Sequence, residues 1–240
     1  MRTIGLIGGM SWESTAEYYR LLNELTRERL GGLHSARCVL YSVDFAEIER
    51  LQSEGRWSEA GEILAAAARA VETAGADMVL LCTNTMHKVA DEVAGAVSVP
   101  LLHLADATAD AVRAAGLGRV ALLGTAFTME QDFYRGRLAA HGLKVLVPDA
   151  DGRELVHRVI YEELCLGIVR EESRAAYRRV IEGLVAEGAE GVVLGCTEIE
   201  LLIRPDDSPV PVFATARIHA EAAVAAALTD EEPRPATVPH

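Results

Sequence analysis

Three stretches of the chain recur in the same order at a nearly constant displacement. R-T-I-G-L-I-G-G, followed by Tyr18, matches G-R-V-A-L-L-G-T, followed by Tyr134, with Gly8 against Gly124, 116 residues apart. A-G-A-D-M-V-L-L-C-T-N matches E-G-A-E-G-V-V-L-G-C-T with Gly75 against Gly188, a displacement of 113, and V-P-L-L-H-L matches V-P-V-F-A-T at 111. Any one match is what two buried strands would give by chance; three in register imply two related halves. In each half, apolar runs ending at glycine alternate with helical patterns, which is the mark of βαβ units and a parallel sheet. The expected architecture is α/β, with two pseudo-symmetric lobes. Each would carry a mainly parallel sheet of about four strands flanked by helices, with the active site in the cleft between the lobes. A strand near Pro100 is expected to pass to the second half and one near Pro211 to return. That divides the chain into 1–98 plus 209–228 as one lobe and 99–208 as the other, with the proline-rich, charged stretch 229–240 as a loose tail.

At 240 residues each half can bury a core without staples. The balance of 36 acidic against 23 basic residues, a net charge of −13, argues against nucleic acid or an anionic membrane surface as partner. No apolar run is long enough to span a bilayer, and Met1-Arg2-Thr3 leads straight into a strand pattern, so the expected location is cytoplasmic. Cys38, Cys82, Cys165 and Cys196 lack C-x-x-C spacing, which fits reduced thiols, and no spacing of His, Cys, Asp or Glu points to a metal. G-L-I-G-G lacks the spacing of a dinucleotide fingerprint. The turn after it, at Met10 and Ser11, offers backbone N–H groups suited to a carboxylate.

The chemistry concentrates at G-V-V-L-G-C-T-E-I-E, residues 191–200. An apolar run stops at Gly195 and presents Cys196 where parallel sheets bind ligands. Thr197 reads as the N-cap of a following helix, whose N-terminus is expected to lower the thiol pKa and attract a carboxylate. The displacement of 113 sets Thr83 opposite Cys196, with Cys82 one residue early. Acid/base groups on opposite sides of one small ligand suit removal of a proton from one face of a carbon and its return to the other. Asn84, Thr85 and Thr197 would hold the carboxylate and stabilise the developing charge. Glu198 would tune Cys196 or bind the substrate ammonium.

G-L-I-G-G-M-S-W-E-S-T at 5–15, T-N-T-M-H at 83–87 and G-C-T-E at 195–198 resemble the aspartate/glutamate racemase family, over the chain up to about residue 228. The resemblance implies a small-molecule amino-acid substrate, proton abstraction by a thiolate, donation by a group opposite, neither pyridoxal phosphate nor metal, and a homodimer as the common assembly. The family's first motif usually reads C-N-T. Here it reads Thr83-Asn84-Thr85, similar to L-aspartate/glutamate-specific racemases, which leaves Cys196 as the strong base and Thr83 as donor or water positioner, since an alkyl hydroxyl is a far weaker base than a thiol. Cys82 stays a catalytic candidate, although side chains alternate faces along a strand. Selective members are expected to clamp the side-chain carboxylate with basic groups. Gln52 stands at one such place and residues 161–166 lack a lysine, so small neutral substrates such as homoserine stay open. Gln52, Thr125 and Thr128 are expected polar contacts; His87 would cap the site or pack, and His103, His219, Cys38 and Cys165 are expected to be structural. Maleate isomerase or hydantoin racemase chemistry at Cys196, and a two-lobed binding protein without chemistry, are the other readings.

Overall fold

A computed structural model describes residues 1–229; the rest of the expected tail, 230–240, lies outside the described residues. The first half runs β1 (Ile4–Gly8), α1 (Trp12–Leu30), β2 (Cys38–Ser42), α2 (Phe45–Ser53), α3 (Trp57–Thr73), β3 (Met78–Leu81), a 3-10 turn (Thr85–Val89), α4 (Ala90–Gly95) and α5 (Leu104–Ala114). The second runs β4 (Arg119–Gly124), α6 (Ala126–Glu130), α7 (Asp132–Ala140), β5 (Lys144–Leu146), α8 (Ala150–Glu162), α9 (Glu171–Ala186), β6 (Gly191–Gly195), the single turn α10 (Ile199–Leu202), β7 (Val212–Ala214) and α11 (Thr215–Leu228). Among the described residues no helix is long and apolar enough to cross a membrane.

The strands form two parallel sheets, ordered β2-β1-β3 and β5-β4-β6-β7. Leu101 bridges in parallel to Val79, where β7 pairs with β6 in the other half, so the two sheets have the same order. The parallel extends to single bonds: the Pro100 carbonyl accepts from Val79 N, and the Pro211 carbonyl from Val192 N, both at 2.9 Å. β1, β3 and β6 are buried throughout, and β4 at all but its first residue, because helices cover both faces, the usual setting of a parallel sheet. Alternation then sorts the side chains. Ile7, Val79 and Leu81 pack with Leu64 and Val71 of α3, whereas Ile4, Leu6 and Leu80 face Tyr18 and Leu22 of α1. In the second sheet Leu123, Val192 and Leu194 meet α8 and α9, and Val120, Leu122 and Val193 meet α5 and α7.

The crossing between halves differs from the expected one. The strands at Leu101 and 212–214 stay in their own sheets, and the helices after them exchange. α5 buries Leu104, Ala109 and Val112 against β4 and β6, while α11 buries Ala216, Ala220 and Val224 against β1 and β3. Proline carbonyls tie both edge segments to their own neighbours, so the chain changes lobes only at Leu104 and Thr215, several residues beyond 98 and 208. The segment near Pro100, expected as a strand, keeps one bridge, because His103 already caps α5, its Nδ1 accepting from Ala105 N at 3.1 Å. α6 and α7 are separated by an extended Gln131 whose side chain accepts from Lys88 Nζ at 2.6 Å.

Candidate active site

The carboxyl ends of both sheets face a narrow cleft with a cavity volume of about 30 Å³, lined from the first half by Met10, Ser14, Phe45, Gln52, Thr83, Asn84 and Thr85. The second half contributes Thr125, Ile160, Tyr161, Cys165, Gly195, Cys196, Thr197 and Glu198. Gly9, at φ +94°, lets the chain turn sharply after β1; a Cβ there would strike the Val43 carbonyl oxygen and φ itself is one that L side chains avoid. Ser11 then caps α1, its hydroxyl oxygen accepting from Ser14 N at 3.2 Å. At the end of β6 a Cβ on Gly195 would lie 2.9 Å from Leu122 Cδ1 and 3.0 Å from the Leu123 carbonyl oxygen, so only glycine lets the strand end this close to β4.

Cys196 is 8% exposed and its Sγ–H donates to Glu198 Oε2 at 2.9 Å. The other carboxylate oxygen of Glu198 accepts from Ser11 Oγ at 2.6 Å, across the lobes. Burial, the Glu198 charge and the neighbouring Cys165 push the Cys196 thiol well above its ordinary value, so it is neutral. This reverses the expected lowering by a helix N-terminus. The Thr197 hydroxyl is bonded to Ser14 Oγ at 3.0 Å instead of capping, and α10 lasts one turn, too short to outweigh an adjacent carboxylate.

On the facing side the residues after β3 are held by His87. Its Nε2 accepts from Leu104 N at 3.2 Å, which places the ring proton on Nδ1, and Nδ1–H donates to the Thr83 carbonyl oxygen at 2.8 Å. Burial keeps this ring neutral, with the His103 and His219 rings beside it. Further polar contacts join the halves, Thr85 to Thr125 at 3.1 Å and Asn84 Nδ2 donating to Thr215 Oγ1 at 3.1 Å, and Thr125 is backed by Thr128 at 3.2 Å.

Of the residues expected at the site, Cys196, Thr83, Met10, Gln52, Asn84, Thr85, Thr125, Thr197 and Glu198 line this one cleft. Three do not. Cys82 is fully buried in the layer under α1 and α11, on the Leu80 face of the strand, and burial raises its thiol pKa; alternation that brings Thr83 to the cleft turns Cys82 from it. Ser11 stands behind Glu198, and Thr128 behind Thr125. His219 is also away from the cleft, bonded to Tyr18 Oη and the Leu102 carbonyl oxygen, each at 2.9 Å.

The model of one protein family, described as Asp/Glu/Hydantoin racemase, matches residues 7–223. The chain belongs to that family. Among solved structures of similar proteins is one from Yersinia pestis described as a candidate Asp/Glu racemase, 56% identical with a TM-score of 0.90, covering 95% of this chain and 100% of that one. An aspartate racemase homologue from Pyrococcus horikoshii OT3 is 38% identical with a TM-score of 0.83, over 95% and 99% of the two chains. The broad specificity amino-acid racemase RacX of Bacillus subtilis is 20% identical over 92% of this chain and 96% of its own.

Within this racemase fold, sequence reasoning missed Ser14, Phe45, Ile160 and Tyr161, and took Cys165 as structural although it lines the cleft. A signal for Cys165 was present. The displacement of 113 that relates Thr83 to Cys196 also relates Gln52 to Cys165, so the duplication offers the two as counterparts. Among the described residues no group of three or more His, Cys, Asp or Glu is placed to hold a metal ion.

Proposed function

We propose that this chain is an amino-acid racemase that takes the Cα proton of its substrate with Cys196 and returns one from the Thr83 side. The observation that carries the reading is the hydrogen bond from the Cys196 thiol to the Glu198 carboxylate, in a cleft whose other wall is Thr83. A buried neutral thiol is not a base. Its proton has somewhere to go along the hydrogen bond to Glu198, and a substrate ammonium offsets the one negative charge the pair carries, leaving a desolvated thiolate next to Cα. The hydroxyls of Thr85, Thr125 and Thr197 line the same cleft, where they can meet the charge that develops at the α-carboxylate.

The two faces are unequal. A thiolate removes the proton of one enantiomer, whereas Thr83, a hydroxyl, serves to deliver hydrogen directly or through a water it orients. Enantiomers have equal free energy in achiral water, so this inequality affects rates and leaves the equilibrium ratio at one. A ligand clamp without chemistry would account for the two lobes and leave the Cys196–Glu198 pair without a purpose. The reading is tested by incubating L-amino acids with the protein in deuterated buffer and following loss of the α-proton signal. Cys196→Ser is expected to abolish both exchange and turnover; exchange retained in that variant removes Cys196 from the base role.

A further inference from the structure

Two side chains in the cleft carry a carbonyl oxygen that is buried and has no hydrogen-bond partner, Gln52 Oε1 and Asn84 Oδ1. The residues are 4% exposed each. Their orientations are fixed by chemistry on the opposite side. Gln52 Nε2 lies 2.9 Å from the sulfur of Met86, which has no proton to give, so the amide must turn its N–H toward it and its oxygen away. Thr215 spends its one hydroxyl proton on the Leu194 carbonyl oxygen at 2.8 Å and so accepts from Asn84 Nδ2, which leaves Asn84 Oδ1 as the free atom. Turning either amide over would set acceptor against acceptor. The remaining charge in the cleft is of one kind: no Lys, Arg or His is among the lining residues, and the carboxylate of Glu198 is.

A wall with two empty acceptors, one carboxylate and no cation calls for a ligand that brings donors. Every α-amino acid brings one set in its ammonium group, which suits one acceptor and offsets Glu198. The second acceptor is left for the side chain. We infer that Gln52 Oε1 selects amino acids whose side chain is neutral and donates a hydrogen bond, a hydroxyl or a primary carboxamide, over aspartate and glutamate. A side-chain carboxylate would meet Gln52 with oxygen against oxygen, beside the Glu198 charge, and a purely apolar side chain would leave Gln52 Oε1 buried and unpaired. Cys165, the counterpart of Gln52 in the second half, is likewise uncharged, because burial and Glu198 push its thiol up to about 12. This rests on the racemase reading and departs from the aspartate and glutamate substrates that the family resemblance implies.

The test uses the full chain and two readouts. In the first, α-proton exchange in deuterated buffer is compared for L-homoserine, L-asparagine and L-glutamine as donors, L-aspartate and L-glutamate as carboxylates, and L-norvaline as the apolar control. The donors are expected to exceed both other groups by about tenfold or more in kcat/KM, a site built to pair a donor discriminating at least that well. Gln52→Met is expected to bring L-homoserine down to L-norvaline, and Gln52→Lys to put L-aspartate and L-glutamate ahead of the donors. Exchange by the wild type that is fastest on a dicarboxylate, or equal for L-homoserine and L-norvaline, overturns the inference. In the second, the same panel is titrated calorimetrically into Cys196→Ala, which keeps the cleft and lacks the base. Donors binding first there, with no exchange by the wild type, would uphold the selectivity and sink the racemase reading; dicarboxylates binding first would sink the selectivity.

Discussion

Replacing Glu198 by glutamine separates two effects that a carboxylate beside a thiol always combines. The charge holds the Cys196 proton in place, yet the same carboxylate is where that proton has to go. Glutamine is isosteric, so its Oε1 can keep accepting from Ser11, now at 2.6 Å, while an amide N–H takes the position 2.9 Å from Cys196. Removing the negative charge removes one of the causes that raise the thiol pKa, second only to burial, so the thiol should ionise more readily. Iodoacetamide should therefore label Cys196 faster in Glu198→Gln than in the wild type at neutral pH. Turnover should move the other way. Loss of the proton acceptor removes a general-base contribution of about 10²–10⁴ in rate. The expected fall in kcat is thus about 10²–10⁴, read by polarimetry of the product enantiomer, with the alkylation rate rising in the same preparation. A variant within about threefold of wild-type kcat, a factor too small for any lost proton-transfer step, would refute the relay.

Two further perturbations follow from the same geometry. Thr83→Ala should depress formation of the D enantiomer more than α-proton exchange of the L substrate, and Thr83→Cys should gain exchange on the D enantiomer; chiral chromatography of both reactions decides, and no gain from cysteine would mean that position 83 does not face the substrate. Glu200, whose carboxyl burial pushes up to about 7 from an ordinary 4.5, holds a proton between those values that the unfolded chain has released. Its contribution is present at low pH and lost as pH rises through 7, on the order of 2–3 kcal/mol. Glu200→Gln should raise the urea midpoint at pH 8 and flatten its dependence between pH 5 and 8; parallel curves for the two proteins would contradict this.

The sheets and the facing pair at positions 83 and 196 were legible in the sequence because both depend on rules that act along the chain. Buried parallel strands read as apolar runs, and the residue after the run is delivered to the ligand side whatever else happens. Phe45, Ile160 and Tyr161 obey no such rule; they reach the cleft from α2 and α8, and only the packing of those helices on the sheets sets which side chain arrives. The ionisation of Cys196 was misjudged for a local reason. Thr197 has the right identity for a cap, but a hydroxyl on α1, from the other end of the sequence, engages it, and the nearest full charge outweighs the partial charge of one helical turn. The lobe boundary was displaced for a similar cause, since a proline marks an edge strand but leaves open the sheet whose edge it is.

The exchange of α5 and α11 has a consequence for the integrity of the molecule. Cut before Leu104, the N-terminal piece would lack the alanine face of α11 that seals Tyr18, Leu22 and Leu80, and the C-terminal piece, though it keeps its own β7, would carry α11 with nothing to lie on. Neither fragment is a self-sufficient folding unit, and melting of one lobe strips a wall from the other. The pair therefore holds together as two hands gripping each other's wrists, unable to let go separately.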